Sequence, residues 1–325
     1  MEINESLLKE EVSSFVSSLQ KLLPKKKSII TVVAPRKSNL RRLTNVHIEA
    51  KSVFPKCFIG AKLVVLREIM NKVKLVQQYN YYNPNTSKET YRSFPNLINN
   101  EMEPKRTDDG LVIDTTGCAT ATYTENIEGS YEVRLTSKIK DLISSDTELV
   151  LEKETSRSVG SLTFSMKDVD PSTLKFVTQW MQVVQPDFYV GTELTLRPLA
   201  YPSKPEVAIS ARYERQSLTL SSTISRAGFQ LCLYKQFASD MRISTIIHES
   251  NRGTPATIAI ALHKNYQNGS ELKIFVDSDK CGGLTFQKDV LFVEHHEQRV
   301  IHLVTSALLD RQRRVRFGFG FNLDF

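Results

Sequence analysis

Hydrophobic residues recur along this chain with two different periods. Within residues 4–23, Leu8, Val12, Phe15, Leu19 and Leu22 fall three or four positions apart, with Ser and Glu between them. That spacing puts them on one face of a helix, with Asn4 placed to cap it and Pro24 to stop it. A second helical pattern covers roughly 39–53, with Leu40, Leu43, Val46 and Val53 apolar, and it ends at Phe54-Pro55. From residue 57 onward the period falls to two. The terminal segment is the clearest case: Val315, Phe317, Phe319, Phe321, Leu323 and Phe325 alternate with Arg316, Gly318, Gly320, Asn322 and Asp324. One face is wholly apolar, and the other is polar or glycine, as in a strand with unlike surroundings on its two sides.

The same alternation runs through 188–197, 206–214, 255–265 and 270–278. In 255–265, for example, Ile258, Ile260 and Leu262 oppose Thr257 and His263. Turn residues separate these runs: Glu128-Gly129-Ser130, Asp170-Pro171-Ser172, Gln185-Pro186-Asp187, Arg226-Ala227-Gly228 and Asn268-Gly269. About nineteen strands fit between 57 and 325, two of them weak (88–97 and 110–116), at about fourteen residues per strand and turn. Strands of roughly ten residues exceed the globular average of five or six. Short turns make an up-and-down meander, and the polar face carries charges in strand after strand, as a water-filled lumen allows. A soluble sandwich also alternates, but it does not need such length. The expected fold is all-β, a closed transmembrane β-barrel of about nineteen strands with an N-terminal helical extension. Closure is required because an open sheet edge cannot hydrogen-bond in hydrocarbon. An odd strand count would bring the first and last strands together in parallel. The expected divisions are 1–38 (amphipathic helix and basic linker), 39–56 (lumen helix) and 57–325 (barrel).

Composition sharpens this in one respect. The chain has 43 Lys and Arg against 36 Asp and Glu. Residues 1–56 hold eleven of the bases and five of the acids, so the rest is almost neutral. A nearly neutral body argues against nucleic-acid binding, which needs a basic stripe. No stretch of about 18 apolar residues offers a membrane helix. Acidic residues from Glu2 to Glu11 fit neither a secretory signal nor a cleaved presequence. Cys57, Cys118, Cys232 and Cys281 match no zinc or redox spacing.

Residues 316–323, Arg-Phe-Gly-Phe-Gly-Phe-Asn-Leu, fit the β-signal of mitochondrial outer-membrane barrels: polar, any, Gly, any, any, hydrophobic, any, hydrophobic. Its key positions are Arg316, Gly318, Phe321 and Leu323. Over 45–325 the chain resembles the pore-forming subunit of the translocase of the outer mitochondrial membrane, within the eukaryotic porin superfamily. Val53-Phe54-Pro55, the run 176–185 with Gly191-Thr192-Glu193-Leu194, Ala211-Arg212-Tyr213-Glu214, and Val276-Asp277-Ser278 before Gly283-Leu284-Thr285 carry the likeness. The segment 83–110 is longer and more polar than that family's, and Thr305–Asp310 looks more like the voltage-dependent anion channel.

The resemblance implies a protein-conducting channel that imports precursors across the mitochondrial outer membrane, or that of a mitochondrion-derived organelle. Implied partners are precursor proteins with targeting presequences, small translocase subunits and receptors in an oligomeric complex, the sorting and assembly machinery, and outer-membrane lipid. An anion-channel-type metabolite porin is the alternative, and a soluble β-rich binding or scaffold protein is the third reading. On the lumen face, Glu148, Glu152, Glu154, Glu193 and Glu214 would offer basic presequences weak, salt-screened contacts. They could equally be solvated charges balanced by Arg134, Lys138, Arg197, Arg212 and Lys273. His295-His296 points its rings to opposite faces, which suits a loop rather than a metal site. No phosphate loop, nucleophile elbow or carboxylate pair appears, so no enzyme, cofactor or metal is expected. Gly117, Gly160, Gly191, Gly282 and Gly318 are read as positions of curvature and of close approach by the lumen helix. Trp180, Tyr79, Tyr81 and Tyr82 would mark the membrane interface.

Overall fold

The computed structural model describes residues 43–70, 72–81, 110–114, 118–127, 131–140, 144–199, 205–251, 254–294 and 297–324. The segments expected as a helix at 4–23 and a strand at 88–97 lie outside these residues, as do Gly117, Tyr82, Glu128-Gly129-Ser130 and His295-His296.

Among the described residues the period-two segments form eighteen strands. They are β1 (Gly60–Met70), β2 (Val73–Tyr81), β3 (Gly110–Asp114), β4 (Ala119–Ile127), β5 (Tyr131–Lys140), β6 (Ser144–Glu154), β7 (Ser158–Lys167), β8 (Lys175–Gln185) and β9 (Phe188–Leu196). The second half comprises β10 (Glu206–Arg215), β11 (Leu218–Ser225), β12 (Gly228–Gln236), β13 (Met241–Ser250), β14 (Thr254–Asn265), β15 (Ser270–Asp277), β16 (Gly282–Glu294), β17 (Glu297–Leu309) and β18 (Val315–Asp324). Each strand pairs with its sequence neighbours, and β18 returns to pair with β1, Gly318 opposite Gly60 and Leu323 opposite Val65. The ring of strands is continuous, as a sheet that crosses hydrocarbon must be.

The β1–β18 pair is parallel, as an odd count would demand, although eighteen strands are present. Every tight turn reverses the chain. Parallel closure of an even ring therefore needs a second parallel pair, and that pair is β2–β3, with Val73 opposite Leu111. Tyr81 and Gly110 consequently stand at opposite rims. Among the described residues the count is one fewer than nineteen, and the 88–97 expectation lies outside them.

The rim where β18 ends, here the C-terminal rim, also carries the turns after β6, β8, β10, β12 and β14. The opposite rim carries the start of β1 and the turns after β7, β13, β15 and β17. Outside, Ile224, Ile260, Val276, Phe317 and Phe319 are all more than half exposed. Such a large apolar exterior is stable only in lipid.

The helical segment is shorter than its sequence pattern. Leu43–Asn45 form a single 3-10 turn, and α1 spans only Ile48–Val53. Six residues cannot hold a helix alone, so this one depends on the wall beneath it. Phe54 is extended, as a residue before proline should be.

Candidate functional site

The site is the lumen wall together with the segment 43–58 that lies on it. Strand alternation decides which residues face inward. Ala50, Val53 and Phe54 pack with Cys232, Ile246, Ala259, Ala261, Phe275 and Leu308, all buried. Leu43 and Val46 pack with Met181 and Tyr189. Gly191 leaves the room this needs: a Cβ there would stand 2.2 Å from Leu43 Cδ1. At Gly318 a Cβ would stand 2.3 Å from the Phe58 carbonyl oxygen. Close approach by the lumen segment therefore explains both glycines. Gly160 is different, because it faces outward and a Cβ there would meet nothing nearer than 4.0 Å.

Two polar clusters fix the segment's register. His47, 2% exposed, places Nδ1 2.7 Å from Ser221 Oγ and Nε2 2.8 Å from Thr223 Oγ1. Each hydroxyl can donate or accept, so both ring nitrogens are satisfied when the imidazole is neutral. Burial, with Lys51 and Arg212 nearby, lowers its pKa to about 3. The guanidinium of Arg212, 1% exposed, donates to both carboxylate oxygens of Glu49 at 2.5 and 2.7 Å. It also donates to Val46 O at 3.0 Å and to Glu214 at 3.1 Å. A planar fork meeting a carboxylate in this way sets orientation as well as energy.

The expected lumen acids are scattered around the wall. Glu148, Glu152 and Glu154 share the inward face of β6, with Glu152 buried, Glu148 half-buried and Glu154 exposed. Glu193 on β9 is buried and accepts from Gln179 Nε2 at 2.6 Å and Thr195 Oγ1 at 3.4 Å. Glu214 belongs to the Arg212 cluster rather than to the acids of β6. The β-signal positions occupy the closing strand. Arg316 and Gly318 face inward, with Arg316 3.2 Å from Asp310, while Phe321 and Leu323 face outward.

Reading the sequence alone missed His47, Glu49, Ser221 and Thr223 as anchors. Arg212 appeared only as a balancing charge, although the Ala-Arg-Tyr-Glu segment that contains it was noticed. The usable signal was polar side chains on an otherwise apolar helical stripe.

No family model matches the chain. It is 22% identical over 283 residues, 85% of its length and 91% of theirs, to the mitochondrial import receptor subunit TOM40 homologs of Caenorhabditis elegans and of Caenorhabditis briggsae. The alignment covers nearly the whole of both proteins and is joined here to a closed barrel of this size. Together they support a divergent TOM40- or porin-type member. This TOM40-type barrel crosses the mitochondrial outer membrane with its strands, as a channel.

Proposed function

We propose that this TOM40-type barrel conducts precursor proteins across the outer membrane and performs no catalysis. The observation that carries the reading is the near full-length likeness to two import receptor subunits. The lumen supports it. One sector is closed by an anchored segment, while Glu148, Glu152 and Glu154 line another strand in a row. Acidic groups spaced along a strand attract a basic, amphipathic presequence through several weak contacts, each of which releases easily. Glu193 and Glu214 belong to clusters on other parts of the wall. Small translocase subunits and receptors would complete the complex.

The test is an arrested precursor crosslinked to cysteines placed along β6, together with peptide block of reconstituted channels. A presequence peptide should block more strongly at low salt, and combined Glu148→Gln, Glu152→Gln and Glu154→Gln should weaken the block. Anion selectivity without a peptide effect would instead identify a metabolite porin.

Biogenesis forms part of the same proposal. Arg316, Gly318, Phe321 and Leu323 would be read by the sorting and assembly machinery before β18 closes on β1. Phe321→Gln with Leu323→Gln should let the chain enter the organelle but fail at the stage of binding that machinery. Normal binding followed by collapse would make the strand merely structural.

A further inference from the structure

The outer surface of the barrel is polarised between its two rims. At the C-terminal rim, lysines stand on the lipid face beside aromatic rings. Lys153 Nζ lies 4.8 Å from the ring centre of Tyr131, Lys235 Nζ 4.8 Å from that of Phe237, and Lys264 Nζ 5.4 Å from that of Tyr266. Residues two apart on a strand share a face, so Lys235 with Phe237 and Lys264 with Tyr266 repeat one design on alternate strands. Arg215 and Lys288 point outward near the same level. Among the described residues, outward positions at the opposite rim include the apolar Leu196, Ile224, Val276 and Val315, and the acid Glu249.

One of the lysine pairs sits in a defined niche. Register places Tyr131, Lys153, Gly160 and Trp180 in a single row across four adjacent strands, all facing outward. Gly160 contributes no side chain, and the space above it is open. A gap one strand wide therefore separates a lysine ammonium from an exposed indole, with about 10 Å between the flanking strands. The nearest outward acid, Glu125, lies one row closer to the membrane centre and accepts from Tyr123 Oη at 3.2 Å.

We propose that this row binds the phosphate headgroup of an anionic phospholipid in the leaflet at the C-terminal rim. Lys153 supplies the cation, Tyr131 holds its stem and charge in place, and the Gly160 gap admits the lipid against Trp180. The pairs at Lys235 and Lys264 extend the same preference around the barrel. Long basic side chains at the hydrocarbon boundary extend their charge to the headgroups while their stems stay in lipid. Each adds about 1 kcal/mol of attraction to an anionic surface, a fivefold preference.

Trp180 is the chain's single tryptophan, so it reports on this row alone. The full-length barrel is reconstituted in phosphatidylcholine vesicles containing either brominated phosphatidylserine or, at the same fraction, brominated phosphatidylcholine. Quenching should show about a fivefold preference of the Trp180 surroundings for the serine lipid, shrinking as salt rises. Lys153→Gln should abolish the preference and Lys153→Arg should keep it. Lys235→Gln, remote from Trp180, should leave it intact. Equal quenching by the two lipids in the unaltered protein would overturn the proposal without any variant, as would an undiminished preference in Lys153→Gln.

Discussion

The inward faces of β12–β14 and of β5–β7 share one backbone geometry and one alternation, yet they are built from opposite chemistry. On β12–β14 the inward residues under the helix are Cys232, Ile246, Ala259 and Ala261, all at or near zero exposure. On β5–β7 they include Glu132, Arg134, Thr136, Glu148, Glu152, Ser161 and Thr163. Several of these polar residues are themselves buried, Thr136, Glu152, Ser161 and Thr163 among them. Where 43–58 covers it, the wall becomes a protein core with apolar residues on both faces. The covered wall also carries polar anchors at its margin, and those set where the segment stops. On β5–β7 the described residues form no apolar cluster of that kind, and the acids Glu148, Glu152 and Glu154 stand in a row along β6.

The difference is broken most severely at the anchors. Glu49→Ala leaves the Arg212 guanidinium buried without its bidentate partner. Roughly 3–5 kcal/mol should be lost, read as a lower denaturation temperature in detergent and as new gating noise in single-channel recordings. Replacing Glu49 and Arg212 together by apolar residues should recover most of that loss.

A smaller loss follows from crowding the covered wall. Gly191→Val must displace Leu43, costing about 1–3 kcal/mol. Leu43→Ala in the same chain should return part of it. If Gly191→Val matches the wild type in both stability and conductance, Leu43 is not seated on the wall.

Acid provides a third route. His47 is neutral in the fold because its pKa is lowered to about 3, while in the unfolded chain it titrates near 6.5. A depressed value means that its contribution is complete above pH 6.5 and is lost as the pH falls from 6.5 toward 3. Stability should drop by about 1.4 kcal/mol per pH unit over that window. Unfolding curves for the wild type and His47→Gln should therefore have different pH slopes below 6.5 and parallel slopes above it.

The smallest effect sharpens the comparison by its size. Gly160→Ala points into open space on the lipid face and should stay within about 0.5 kcal/mol of the wild type, in contrast to Gly191→Val.

Much of the architecture was legible in the residues. The terminal alternation from Val315 to Leu323 matches β18 and its two faces, and 188–197, 206–214, 255–265 and 270–278 match β9, β10, β14 and β15 within one or two residues. The site was less legible. In 255–265, Ile258, Ile260 and Leu262 oppose Thr257 and His263, but Ala259 and Ala261 share the face of Thr257 and His263. The run Ile258-Ala259-Ile260-Ala261-Leu262 is apolar on both faces. So are Leu231-Cys232-Leu233 and Ile246-Ile247, and each marks a stretch of wall covered from within. Local pattern records that both faces avoid water, but not what covers the second face.

By itself the sequence determined the strands, their sidedness and the need to close, because a period of two with one apolar face leaves few stable arrangements in a membrane. Only the tertiary structure decided that β2 and β3 run parallel, that α1 is six residues long, and that Arg212 grips Glu49 across 163 positions of chain. These are contacts between residues far apart in sequence. Their energies depend on which surfaces meet, and strand periodicity does not encode that pairing.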